Sequence, residues 1–449
     1  MSIFKAYDVR GLVDKEITAD FCFATGVAFA RFLQQEREPA TVVIGEDMRP
    51  SSPIFADAFS AGVTSQGFDV IRIGLASTDM LYFAAGKLNM PGAMFTASHN
   101  PAEYNGIKMC LSGARPIGKE SGLLTIEKFV TEGSPLELRS VGVEREQSMV
   151  EEYVDHLLTL VDLTTTRPLK VVIDAGNGMA GYTAPAVFKR LNFDVIEMYF
   201  ELDGTFPNHE ANPIDPKNLA DLSKAVKKHK ADIGLAFDGD ADRCFLVDEK
   251  GELVNPSALT ALIADRALAT DPGSTIIYNL ISSRSVKEVV EENGGTAVRS
   301  RVGHSYIKKL MAETGAIFGG EHSGHFYFRD FWRADSGMLA ALHALAALSE
   351  SKGTLSQLLH TYNRYSSSGE INSVVSDADA VMKKIEDFYL SMGSVTTDHL
   401  DGLTVDSADW WFNVRASNTE PLLRLNVEAT TKSLMEKVRT QVLALISGK

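Results

Sequence analysis

The sequence predicts an α/β protein of four domains, three of them related α/β units with mixed, mainly parallel sheets and the last a C-terminal α+β domain. Three observations carry this. A length of 449 residues with 45% hydrophobic side chains allows about three domains of ordinary size. A unit of strand, polar loop, helix and closing strand recurs three times at a spacing of about a hundred residues, which implies parallel pairing through crossover helices. Beyond Tyr362 the texture changes to short strands and a final amphipathic helix.

The chain opens with the charged turn Tyr7-Asp8-Val9-Arg10-Gly11 before a helical pattern over residues 18–35. Residues 41–44 form a buried strand. The loop Asp47-Met48-Arg49-Pro50-Ser51-Ser52-Pro53 leads into a helix ending near Gln66, and 68–73 is the next strand. The second copy reads as strand 169–173, a glycine-rich loop 174–181, helix 184–191 and strand 192–196. The third reads as strand 274–278, the turn Ile281-Ser282-Ser283-Arg284, a helix to about Glu292 and strand 294–298. Residues 365–369 (Tyr-Ser-Ser-Ser-Gly) are expected as a soft joint. After it come strands at 370–375, 392–395, 400–405, 410–416 and 422–429, then a helix over 433–447. The domains are accordingly 1–143, 144–250, 251–364 and 365–449.

A formal charge of −15 argues against bulk electrostatic binding to nucleic acid or an anionic membrane. The basic run Lys227-Lys228-His229-Lys230 is the exposed end of a helix. The three cysteines, Cys22, Cys110 and Cys244, lie far apart in apolar settings and read as small buried hydrophobes in a reduced compartment, with no disulfide frame or zinc spacing. The opening MSIFKAYDVRG lacks the character of a signal or transit peptide, and no apolar run approaches ~18 residues, so the expected location is the cytoplasm.

Four stretches bear chemistry. In MFTASHNPAEYNGIK, residues 94–108, a short apolar run delivers Ser98 to a corner where Pro101 disfavours helix at Asn100. With His99 beside it and Lys108 further on, Ser98 is an acceptor for a phosphoryl or acyl group, or a turn serine bonding its own backbone. In Asp238-Gly239-Asp240-Ala241-Asp242-Arg243 the alternating aspartates place three carboxylates on one side of a tight loop, an oxygen site for Mg²⁺ or Ca²⁺. Arg243 stands where an EF-hand loop needs glycine, and the flanks read as strands, which excludes that motif. Gly319-Gly320-Glu321-His322-Ser323-Gly324-His325 is a hairpin loop or a sugar-hydroxyl site in which Glu321 accepts and Ser323 donates. Arg415-Ala416-Ser417-Asn418-Thr419-Glu420-Pro421 is a polar turn or a cradle for a dianionic phosphate. The glycine-rich loop 174–181 lacks the spacing of dinucleotide and Walker loops and is taken as a close strand-to-helix turn.

These four motifs, in this order and on this plan, resemble the α-D-phosphohexomutase superfamily across essentially the whole chain. Gly-Glu-His-Ser-Gly-His and Arg-Ala-Ser-Asn-Thr-Glu-Pro are similar to its phosphomannomutase/phosphoglucomutase branch. Phosphoglucosamine mutases typically have Gly-Thr in place of Asn418-Thr419. The runs Phe328-Arg329-Asp330-Phe331, Ala334-Asp335-Ser336-Gly337 and Asp242-Arg243-Cys244-Phe245-Leu246 look most like bacterial phosphomannomutases that supply GDP-mannose synthesis.

The resemblance implies four domains around a central cleft and a mutase that interconverts mannose 6-phosphate and mannose 1-phosphate through a phosphoserine and a hexose 1,6-bisphosphate. Phosphoglucomutase or dual specificity is the alternative, because only the configuration at O2 separates the substrates. It also implies roles. Ser98 is the phosphoserine, and an oxygen of that phosphate joins Asp238, Asp240 and Asp242 around one Mg²⁺. Arg10, Lys108 and Arg243 surround the transferring group, with Lys108 or His304 as the base. Glu321 and Ser323 hold sugar hydroxyls with His304 and His325 nearby, and Tyr7, His99 and Asn100 join the substrate contacts. Arg415, Ser417, Asn418 and Thr419 grip the phosphate that is not reacting, as a mobile C-terminal domain closes. The lysine that many relatives have just before the small-Thr-Arg turn is absent at Ile281-Ser282-Ser283-Arg284. A Mg²⁺-dependent sugar-phosphate phosphatase would need water to reach the phosphoserine, and a cradle for a second phosphate argues against it. The expected partners are hexose phosphates, with neither nucleic acid nor membrane, and the expected state is a monomer or weak homodimer.

Overall fold

Thr18 starts the first helix as the sequence suggests: its side chain accepts the Phe21 amide at 3.2 Å, and the helix Ala19–Gln35 follows. The computed structural model describes residues 3–133, 140–164, 167–416 and 422–448, the side chain of His304 excepted. The chain divides into two compact units. One comprises Met1–Pro256 with Ser323–Leu358, the other Ser257–His322 with Leu359–Lys449.

The first unit contains two sheets. In one, the strands run in the order Val9–Leu12, Tyr104–Leu111, Gly92–Phe95, Thr41–Glu46, Asp69–Leu75 and Glu144–Glu146. The last four pair in parallel, with the helix Ser52–Ser65 linking Thr41–Glu46 to Asp69–Leu75 and the helix Thr78–Leu88 linking Asp69–Leu75 to Gly92–Phe95. Tyr104–Leu111 runs antiparallel to both Val9–Leu12 and Gly92–Phe95. Ser98 therefore lies in the link between two adjacent antiparallel strands, held in register by pairs from Gly92 with Cys110 to Phe95 with Ile107. Phe29, Phe59 and Phe95 pack in series from helix to helix to sheet, the first pair tilted and the second edge-to-face with centroids 5.8 and 5.4 Å apart, and anchor the strand that leads to Ser98.

The second sheet has the order Cys244–Asp248, Ile233–Phe237, Lys170–Asp174, Asp194–Met198. Its antiparallel edge pair carries the aspartate loop as a hairpin link closed by Phe237 opposite Cys244. The glycine-rich loop passes into the helix Ala180–Phe188, and its Met179 amide donates to the Gly239 carbonyl at 2.8 Å, so it packs under the aspartate loop. The hairpin Phe326–Phe328 with Ala334–Asp335 and the helix Gly337–Glu350 complete this unit. Cys22, Cys110 and Cys244 are buried and unlinked, and the basic run ends the helix Ala220–His229.

In the second unit, Thr296–Ser300, Thr275–Asn279 and Phe318–Gly320 pair in parallel. The C-terminal domain is an antiparallel sheet in the order Ser366–Val374, Leu422–Ala429, Trp410–Ala416, Leu403–Asp406, Thr396–Asp398. Two sequence expectations change here. The serine-rich joint is part of the edge strand Ser366–Val374, where a register shift between Ser367 and Glu370 accommodates Gly369 at φ +66°. Residues 392–395 are not a strand, because Met392 ends the helix Ala378–Met392, capped by Asp377, whose carboxylate accepts the Ala380 amide at 3.0 Å. Ile385 and Tyr389, four apart, are its fully buried residues, and Val381, Met382 and Phe388 pack partly buried against the same core, a helical stripe to which the sequence expectations assign no element. Among the described residues no helix is long and apolar enough to cross a membrane.

Ile385 is fully buried in the C-terminal core. Ile385→Ala is expected to cost about 2–4 kcal/mol, read as a lower urea midpoint for that domain. An unchanged midpoint would contradict this packing.

Candidate active site

Ser98 is buried and takes a left-handed backbone conformation, φ +50°, which a non-glycine residue adopts only when its surroundings enforce it. Arg49 enforces it. This fully buried guanidinium donates to four carbonyls of the loop, Ser98 at 2.9 Å, Asn100 at 2.7 Å, Pro101 at 2.8 Å and Tyr104 at 2.9 Å, with Asp47 3.3 Å from its Nε. The Ser98 amide donates to Thr96 Oγ1 at 2.9 Å. The loop is thus fixed through its backbone, and the serine hydroxyl is left to point elsewhere.

It points at the aspartate loop. Ser98 Oγ donates to Asp238 Oδ2 at 2.8 Å and lies 3.2 Å from His99 Nδ1. The approach is backbone to backbone: a Cβ on Gly239 would lie 2.4 Å from the Ser98 carbonyl oxygen, so only glycine fits. Burial, then the Arg243 and Arg10 guanidiniums, hold the His99 imidazole neutral, well below its ordinary range.

Asp238, Asp240 and Asp242 are all buried, with one oxygen from each within 4.8 Å of the others. Lys108 Nζ sits 2.6 Å from both Asp240 Oδ2 and Asp242 Oδ2, and Arg243 Nε 3.4 Å from Asp238 Oδ2. Thr78 holds Asp240 twice, its amide donating to the backbone carbonyl at 2.9 Å and its hydroxyl to Oδ2 at 2.6 Å. Burial, then the Asp242 and Asp240 charges, push the Asp238 carboxyl up. Burial acts the same way on Asp240, but Lys108 and the Thr78 and Ser98 hydroxyls outweigh it and hold that carboxyl below its usual range. Lys108 is the converse: burial favours the neutral amine, and the two carboxylates outweigh burial and keep it an ammonium. It stands here as a cation.

Asp240 Oδ1 and Asp242 Oδ1 are buried without a hydrogen-bond partner. Two such oxygens beside a third carboxylate fit a hard divalent cation, which would satisfy them.

Around this centre, Arg10 donates to Asn100 Oδ1 at 2.6 Å and to Asp8 Oδ2 at 2.5 Å, which ties the first strand to the serine loop. His325 pairs through the backbone with Arg243, and its Nδ1 lies 3.0 Å from Asp335 Oδ2 and 3.8 Å from Asp242 Oδ1. Burial disfavours its charge, and Asp242 together with Asp335 more than compensates. Tyr7 is half-buried just ahead of the first strand, and Ser323 is half-buried at the head of its segment of this unit.

In the other unit, Glu321 is buried, and its Oε1 accepts the Gly303 amide at 3.1 Å and the Asn279 side chain at 3.5 Å. Arg415 is paired with Glu370 at 3.0 Å. Ser417, Asn418 and Thr419 lie outside the described residues, as does the side chain of His304, whose backbone opens the helix His304–Thr314. The structure thus gathers Ser98, the three aspartates, Lys108, Arg243, His99, Asn100, Arg10 and His325 into one centre. Three residues that sequence reasoning did not single out complete it: Arg49, Thr78 and Asp335. Arg49 stands in a polar loop before a proline, and nothing in that pattern says that its partners are backbone carbonyls fifty residues on.

Comparison with known proteins defines the family. The four successive family models of phosphoglucomutase/phosphomannomutase match in order: alpha/beta/alpha domains I, II and III over residues 1–136, 151–251 and 255–365, and the C-terminal domain over 370–445. The chain belongs to the phosphoglucomutase/phosphomannomutase family of phosphohexomutases. It is 40% identical to a protein named phosphohexose mutases from Xanthomonas campestris pv. campestris, over 98% of this chain and 97% of that one. It is 38% identical to a phosphomannomutase of Salmonella typhimurium, over 99% and 98%. A solved phosphoglucomutase/phosphomannomutase family protein from Burkholderia thailandensis superposes with a TM-score of 0.91 at 32% identity, over 99% and 97%.

Gly239→Ala, which adds only a methyl group where Ser98 presents its carbonyl, is expected to lower kcat by about tenfold or more with little change in circular dichroism. Wild-type turnover would contradict the close approach of the two loops.

Proposed function

We propose that the protein interconverts mannose 6-phosphate and mannose 1-phosphate, with Ser98 carrying the phosphoryl group and a hexose 1,6-bisphosphate as the intermediate. The observation that carries this reading is Ser98 Oγ at 2.8 Å from Asp238, against a loop of three buried carboxylates with Lys108 and Arg243 beside it. The preference for mannose follows the phosphomannomutase name of relatives 38% identical over nearly the whole chain. Phosphoglucomutase or dual activity is the second reading, favoured by the relative named phosphohexose mutases and by a phosphoglucomutase of Neisseria meningitidis at 36% identity.

Asp238, Asp240, Asp242 and an oxygen of phosphorylated Ser98 would hold Mg²⁺, which when bound supplies positive charge to the phosphoryl oxygens. The residues of the chain do the rest. Lys108, Arg243 and Arg10 offset the charge of the group in transit. As the sugar hydroxyl oxygen bonds to phosphorus, the bond from phosphorus to Ser98 Oγ breaks. The proton that the hydroxyl gives up, with Lys108 or His304 as the candidate to take it, balances the one that Ser98 Oγ recovers. The bisphosphate then turns round, and its other phosphoryl group returns to Ser98 by the reverse exchange. Glu321 and Ser323 hold sugar hydroxyls with His325 nearby, and Tyr7, His99 and Asn100 line the substrate. Arg415, Ser417, Asn418 and Thr419 hold the idle phosphate, which would have to displace Glu370 from Arg415. On this reading the chain divides functionally into 1–143, 144–250, 251–364 and 365–449.

A coupled assay of mannose 1-phosphate against glucose 1-phosphate, with and without hexose 1,6-bisphosphate, tests the proposal. A higher kcat/KM for the mannose ester and activation by the bisphosphate are expected; a marked preference for glucose would overturn the sugar assignment. Ser98→Ala should remain folded and lose turnover by orders of magnitude, and near-normal activity would exclude the phosphoserine. Asp240→Asn should abolish both Mg²⁺ stimulation and activity, whereas a fully active variant would refute the metal site.

A further inference from the structure

Asp79 is a buried carboxylate that none of the roles above uses. It stands at the second position of the helix Thr78–Leu88 and has no exposed surface. Its Oδ2 accepts from the Tyr153 hydroxyl at 2.7 Å and from the Ser336 hydroxyl at 2.6 Å, and its Oδ1 accepts from Ser77. These donors come from three elements: the cap of its own helix, the helix Val150–Leu160 and the cap of the helix Gly337–Glu350. All three are neutral hydroxyls, and the carboxylate lies in the first turn of its own helix, where the amide end favours negative charge. Burial pushes the carboxyl up to about 6 despite those hydrogen bonds. Placing a carboxylate here is costly compared with an apolar side chain of similar size.

Its neighbours show what it holds. Thr78, the preceding residue, grips Asp240 by its amide at 2.9 Å and its hydroxyl at 2.6 Å. Asp240 Oδ2 is thereby occupied by Thr78 and Lys108, while Oδ1 is left without a hydrogen-bond partner. Ser336 is flanked by Asp335, which holds His325, and by Gly337, where a Cβ would lie 2.6 Å from the Arg243 carbonyl oxygen. One carboxylate thus joins the starts of two helices that touch the aspartate loop from different sides.

We infer that Asp79 is a positioning residue for the 238–243 metal loop: it pins the first turn of the Thr78–Leu88 helix so that Thr78 turns Asp240 Oδ1 toward the cation. The inference rests on the reading of that loop as a metal site. Asp79 touches neither cation nor substrate and acts through Thr78.

The test uses Mn²⁺, a hard oxygen-seeking cation, titrated into the purified full chain and followed by its electron paramagnetic resonance, with melting measured in EDTA. Asp79→Asn, which keeps the shape and removes the charge, is expected to weaken Mn²⁺ binding about tenfold, the scale of lost outer-shell partners at metal sites. Thr78→Val should weaken it similarly, and the double variant should fall within about twofold of Thr78→Val alone, because both act on one contact. A folded Asp79→Asn with a lower Tm but wild-type Mn²⁺ affinity would make the residue merely structural and overturn the inference. Full additivity in the double variant would overturn the route through Thr78. If Asp79→Asn does not fold, Ser336→Ala, which removes one of the three donors, serves instead with an expected loss of about threefold, and unchanged affinity there would overturn it equally. A wild-type chain that binds no Mn²⁺ would instead refute the metal reading itself, an outcome distinct from any failure of Asp79.

Discussion

Three carboxylates buried within 4.8 Å of one another, with a serine hydroxyl against one of them, are the constraint on which the rest of the first unit depends. Each like-charged pair at that separation repels by about 3–4 kcal/mol at an effective dielectric of 20. The structure sets Lys108 between two of the carboxylates and Arg243 beside the third, which leaves a crowded pocket with two carboxylate oxygens without a hydrogen bond. Such a pocket is stable only where surrounding structure forces it. The forcing comes from both sides: the sheet hairpin that spaces the aspartates, and the starts of the helices Thr78–Leu88 and Gly337–Glu350 that abut the loop.

The same logic explains Ser98. A left-handed serine in a buried loop is unfavourable by itself, and four carbonyl contacts to Arg49 hold it. A rigid loop is what positioning catalysis requires, which suits the phosphoryl-carrying role proposed for Ser98. Arg49 and Gly239 are two halves of one device: the guanidinium shapes the loop from behind, and the missing side chain lets the aspartate loop reach it from the front.

Much of this was legible in the sequence because local chemistry announces it. The alternating aspartates, the serine before Asn-Pro and the strand–loop–helix–strand periodicity all state their structure within a few residues. What escaped was non-local or weakly patterned. Arg49 and Thr78 act on partners about 50 and 160 positions away, and no spacing encodes that. The helix Ala378–Met392 fully buries Ile385 and Tyr389, but its apolar residues also fall on the exposed side, as at Leu390 and Met392, which blurs the helical stripe. The serine-rich run looked like a joint because serine and glycine are turn-formers, yet pairing with Leu422–Ala429 makes it an edge strand. The two carboxylates that Lys108 bridges, 132 and 134 positions away, were likewise out of reach of local pattern.

Ser98, proposed to carry phosphate between the two positions of a hexose, can be reached by one measurement without reference to the sugar preferred. The chain is incubated with a hexose 1,6-bisphosphate and Mg²⁺, digested and examined by mass spectrometry. The account predicts a single phosphoryl group on the peptide containing Ser98, discharged when hexose monophosphate is added. A Ser98 peptide that stays unmodified in an enzyme that nevertheless turns over would contradict it.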